Sequence, residues 1–133
     1  LLLGGLRALA AGDHDSGLIV DSYLLRALAL SGWSPSLDLC AVTGDSGDHR
    51  AFAVSLGGVV SDEAAPPGSP RLRDGSKELL LALLEGTWDV AEASDSTTRS
   101  QVSGLIAAYT QYHLERHVKS LAHVDRTAGQ VVR

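Results

Sequence analysis

This chain has no methionine, a single cysteine, few aromatic residues and no excess of positive charge. Each shortage excludes something. One cysteine, Cys40, rules out an intrachain disulfide and with it a secreted scaffold held by bridges, which favours a cytoplasmic setting. No apolar run reaches the roughly 18 residues that a membrane span requires, and no charged segment precedes the Leu-rich opening as a signal peptide needs. A formal net charge of −5 leaves no general attraction to phosphate backbones or anionic membranes. With aromatics at 5% against 44% hydrophobic residues overall, the core falls to Leu, Ala and Val, the composition of packed helices. The missing Met, with a start at Leu1 inside a helical pattern, points to a fragment whose true start lies upstream.

What is present fits one domain of 133 residues. Apolar residues at helical spacing predict a first helix over residues 1–11, closed by Gly12-Asp13. A second is predicted from Leu18 to Trp33, with the stripe Leu18, Ile19, Tyr23, Leu24, Ala27, Leu28 and Leu30 ending at Gly32 and Pro35. Residues 36–75 are punctuated by glycine and proline, which excludes a continuous helix. Within them, 50–54 and 58–60 read as two short strands turning at Gly57-Gly58, and 62–75 as an irregular connector. Helical signals return at Ser76–Glu85, at Trp88–Ala93 and from Ser96 or Thr97 to about Leu121. Along this last helix Val102, Leu105, Ile106, Tyr109 and Leu114 suit a buried face, and Ser103-Gly104 a close neighbour.

The motif HLERH at 113–117 invites a reading as a metal-dependent hydrolase. On an α-helix His113 and His117 lie about 40° apart, but Glu115 points about 200° from His113 and so away from any metal the pair holds. The spacing matches neither H-E-x-x-H nor H-x-x-E-H, and His123 projects from another face. The simpler reading is a polar helix face on which Glu115 and Lys119 pair at i,i+4. Cys40 near His49 lacks the oriented base that a nucleophilic cysteine requires. The cluster Arg116, Lys119 and Arg126, interleaved with His113, His117 and His123, is what a helix C-terminus attracts, with local anion binding left open. None of these supports an enzyme.

The cysteine region carries a different pattern. Cys40, Thr43, Ser61 and Ala64 stand in the frame of a two-knuckle zinc module, C-x2-C-x17-C-x2-C, with three of its four ligand positions substituted. Together with LLRALALSGWSPSLDLCAVTG at 24–44 and VSGLIAAYTQYHLERHVKSLAHVDR at 102–126, this resembles the C-terminal domain of the RecO family of bacterial DNA repair proteins. The resemblance implies a recombination mediator that answers DNA damage by annealing single strands, works with RecR and the single-strand binding protein SSB, and helps load RecA. It also implies an N-terminal OB-fold, absent from these residues, as the main contact with single-stranded DNA. Thr43 and Ser61 are poor zinc ligands and Ala64 is none, so no zinc is expected; hydrogen bonds from Thr43 and Ser61 and packing of Phe52, Val54 and Val60 must take its place.

The expected architecture is therefore all-α: a bundle of about five helices with a ribbon-like, metal-free degenerate zinc-finger insertion at about 36–65. The resemblance further implies that the helical body receives the acidic, hydrophobic C-terminal tail of SSB. Such a tail fits an apolar groove with a cation beside it, for which Arg26, Arg116 and Lys119 are the candidates. No catalytic residue, cofactor or membrane contact is expected, and the setting is the cytoplasm at the nucleoid. Two other readings stand beside it: a helical scaffold with no DNA-repair role, and, more remotely, the hydrolase using His113 and His117.

Overall fold

The computed structural model describes residues 15–132, with side chains described over 15–122. The helix predicted at 1–11 lies outside the described residues. Helix α1 (Ser16–Leu30) starts where the Asp15 carboxylate accepts the Leu18 N–H at 3.2 Å, capping a donor that the first turn leaves open. It stops at Gly32, whose φ of +85° lets the Trp33 N–H turn back to the Leu28 carbonyl at 2.8 Å. Helix α2 (Ser76–Glu85) ends in the same way, with Gly86 at φ +78°. A short α3 (Trp88–Glu92) leads to the long α4 (Ser96–Val132), opened by the Asp95 carboxylate accepting the Thr98 N–H at 2.7 Å. The described residues are thus mainly helical, as composition predicted.

Helices α1, α2 and α4 pack on one another, and α3 closes against α2. Their core joins Leu18, Leu25 and Leu28 to Leu79, Leu80 and Leu83 and to Val102, Leu105, Ile106 and Tyr109. Two expectations fail here. Leu30 is 78% exposed and Leu114 54% exposed, although Trp33, just past the end of α1, packs on His113 and His117 to either side of Leu114. Ser103 is exposed but donates its hydroxyl to the Asp21 carboxylate at 3.3 Å, and a side chain at Gly104 would meet open space rather than a close neighbour.

The insertion is the predicted ribbon. Strand β1 (Ala51–Ala53) pairs antiparallel with β2 (Gly58–Val60) around a 3-10 turn at Val54–Leu56, in the register Ala51 with Val60 and Phe52 with Val59. Alternation gives the ribbon two faces. Phe52 and Val59 enter the helical core, joined by Leu37 and Leu72, while Ala51, Ala53 and Val60 enclose Cys40 on the other face. The ribbon is therefore built into the helical body, since burying Phe52 alone contributes about 1.5–3 kcal/mol.

Both ribbon edges are covered. Ser36 bridges to Gly58, with the Val59 N–H donated to the Ser36 carbonyl at 2.9 Å. On the other edge the Phe52 N–H reaches the Pro70 carbonyl at 2.9 Å and the Leu72 N–H reaches Arg50 at 2.7 Å. The supposedly irregular connector thus supplies a short edge segment at 70–72. Gln101 of α4 fastens it, donating to the Arg71 carbonyl at 2.8 Å and accepting from the Arg73 N–H at 2.9 Å and the Ser76 hydroxyl at 2.6 Å.

Candidate functional site

Two clusters carry the chemistry of this fold. The first gathers the knuckle positions. Cys40 is buried, and its sulfur accepts the Thr43 N–H at 3.5 Å and, from the other knuckle, the Ser61 N–H at 3.2 Å. Each knuckle also closes on itself: Gly44 N–H to the Cys40 carbonyl at 2.8 Å, and Ala64 N–H to the Ser61 carbonyl at 3.1 Å and hydroxyl at 3.3 Å. The hydroxyl and N–H of Thr43, helped by the Ser61 N–H, draw the thiol from 9.0 down to about 6 against the opposing effect of burial.

These residues do not fit a tetrahedral zinc site. One thiol is present, Ala64 offers no donor, the Thr43 hydroxyl accepts from Asp45 N–H at 3.2 Å, and the Ser61 hydroxyl is taken by Ala64. The ring of His49 is held by the Asp45 carbonyl at 2.8 Å. Among the described residues no three His, Cys, Asp or Glu side chains converge as metal ligands.

The second cluster surrounds the middle of α4. Trp33, just past the end of α1, stacks on His113 with ring centroids 5.2 Å apart and planes 12° from parallel, and meets His117 edge-on at 5.9 Å. The buried Tyr109 packs edge-on against His113 at 4.4 Å and donates its hydroxyl to the Trp33 carbonyl at 2.9 Å. This enclosure leaves Nε2 of His113 buried without a hydrogen-bond partner and lowers the ring's pKa, first by desolvation and then by the charge of Arg116.

The expected polar face is corrected accordingly. His113 is an aromatic packing residue, and the two histidines flank an indole rather than a common ligand. Glu115 accepts from Gln111 at 3.1 Å and forms no ion pair with Lys119.

The candidate cations divide between elements. Arg116, exposed on α4, donates to the Tyr112 hydroxyl at 2.7 Å and lies 5.5 Å from that ring's centroid, while Tyr112 reaches the Ser55 carbonyl at 3.4 Å. Lys119 is exposed one turn further along α4. Arg26 is exposed on α1, and no hydrogen bond or ion pair joins it to the other two. Beside Arg116 and Lys119, α4 leaves Leu114, Val118 and Leu121 exposed, an apolar stripe at helical spacing. Arg126 and His123 lie outside the described side chains.

Comparison with known proteins decides the family. The family model described as "Recombination protein O C terminal" matches residues 1–122. The chain belongs to the RecO family. It is 49% identical over 126 residues to the DNA repair protein RecO of Thermobifida fusca (strain YX), a match covering 95% of this chain and 52% of that protein. It therefore spans about half the length of that curated relative. No solved structure matches it. Among the described residues no helix is long and apolar enough to cross a membrane.

Sequence reasoning missed Trp33, Tyr109 and Gln101 as a group. Trp33 and Tyr109 were visible as a tryptophan after a helix-ending glycine and a tyrosine one turn before His113. Their meeting depends on the end of α1 reaching the middle of α4. Nothing in the local pattern marks Gln101.

Proposed function

We propose that this domain is the protein-interaction half of a recombination mediator acting in DNA repair without enzymatic activity of its own. The observation that carries the reading is the match to the RecO C-terminal family over residues 1–122, with its 49% identity to a DNA repair protein. In this reading single-stranded DNA is held mainly by an OB-fold elsewhere in the whole protein, and the helical body engages RecR and the C-terminal tail of SSB. The consequence is strand annealing and RecA loading on SSB-coated DNA in the cytoplasm, at the nucleoid.

The tail's acidic and hydrophobic character suits α4. Leu114, Val118 and Leu121 offer apolar surface, and Arg116 and Lys119 offer charge for a terminal carboxylate. Arg26 is the separate, α1-borne candidate. Arg116 is already oriented by Tyr112, which reduces the freedom it loses on pairing.

The test uses the gene product that carries this chain. It should speed annealing of complementary strands coated with SSB and should retain SSB and RecR in pull-down. A folded product that does neither contradicts the proposal and leaves a helical scaffold with no repair role.

A further inference from the structure

We infer that the two knuckles of this chain close without zinc around the sulfur of Cys40, and that their backbone retains the cradle of a four-thiolate site. A zinc knuckle is fastened by metal–thiolate bonds, and its folding energy comes largely from the metal. Here the fastening is made by other means. Cys40 Sγ receives N–H groups from Thr43 of its own knuckle and from Ser61 of the other, 21 positions away. The Ala41 N–H crosses to the Val59 carbonyl at 2.8 Å, and the Cys40 N–H to Asp45 at 2.9 Å. Ala51, Ala53 and Val60 cover the sulfur, with Ala41, Ala64 and Ala65 packed around them. Ala64 occupies the fourth ligand position as one wall of this apolar pocket.

The cradle persists because the ribbon does not depend on it. Phe52 and Val59 anchor the strands in the helical core, and Ser36 and residues 70–72 pair with both edges. With the strands fixed from that side, positions 40 and 61 stay close enough for a direct hydrogen bond when three thiols are gone.

Metal analysis of the purified chain, expressed with zinc supplied, should find no stoichiometric zinc, and a strong chelator should leave its melting temperature unchanged. Stoichiometric zinc, or a melting temperature lowered by the chelator, overturns the first half. The combined variant Thr43→Cys, Ser61→Cys, Ala64→Cys, refolded with cobalt(II), should bind one ion per chain with the intense absorption of a tetrahedral cobalt–thiolate centre. A variant that binds no cobalt, folded or not, overturns the second half.

Discussion

The amide of Ser61 donates to the sulfur of Cys40 across 3.2 Å, joining two turns that are 21 residues apart in the chain. Replacing Cys40 by Ala removes the shared acceptor of two amides and empties part of a small core. Hydrogen exchange should then quicken at the Thr43 and Ser61 amides by roughly two- to tenfold, the equivalent of one ordinary hydrogen bond each. Amides inside α2 should be unaffected, and equal acceleration there would show that the sulfur supports the whole domain instead.

Gly58 has φ +141°, and a Cβ placed there would stand 2.2 Å from the Ser36 carbonyl oxygen. Gly58→Ala should therefore cost about 2 kcal/mol or more in chemical denaturation, since backbone must move as well as strain. Gly57 is the control. Its φ of +95° is also left-handed, but nothing lies within 4 Å of its Cβ position, so Gly57→Ala should cost about 1–2 kcal/mol.

Tyr109→Phe keeps the edge-on ring contacts with His113 and Phe52 while removing the hydroxyl that satisfies the Trp33 carbonyl. A loss of about 1–2 kcal/mol is expected from denaturant titration. Trp33 fluorescence should report the change directly.

The His113 ring prefers its neutral form in the fold, enclosed by Trp33, Tyr109 and Tyr112 and repelled as a cation by Arg116. Its folded pKa lies below the ordinary 6.5, so the unfolded chain takes up the proton first as pH falls. Its contribution is full above pH 6.5 and is lost progressively as pH falls through the folded value. Denaturant midpoints measured from pH 8 to pH 5.5 should decline in the lower part of this range, and His113→Phe should flatten that decline. An unchanged slope would place the titrating group elsewhere.

Asp21 is buried on α1, where desolvation raises its pKa, the Ser103 hydroxyl opposes this, and Asp15 adds to it. A carboxylate destabilised in the folded state favours a neutral replacement at neutral pH. Asp21→Asn should raise the melting temperature at pH 7 and lose that advantage below the ordinary carboxylate value of 3.8.

Much of this fold was legible because its signals are local. The segment GSKELLLALLEG states its own beginning and end, and α2 occupies Ser76–Glu85 as read. The pair AFA and GVV around two glycines formed the ribbon for the same reason. Leu30 and Leu114 were misread because helical spacing identifies apolar positions but not which of them a neighbouring element covers. The candidate site was less legible still. The knuckle frame located Cys40, Thr43, Ser61 and Ala64, but the sulfur's role depends on distances across the ribbon. His113 looked like a polar surface residue until Trp33, 80 positions earlier, was found stacked on it.

The measurement closest to the central claim is isothermal titration of this domain with the SSB C-terminal peptide, run beside a peptide lacking the terminal Phe. The account predicts binding that disappears with that Phe and weakens when Arg116 or Lys119 is replaced by Ala. Equal binding of both peptides, or none by the folded domain and none by the whole protein, would contradict it.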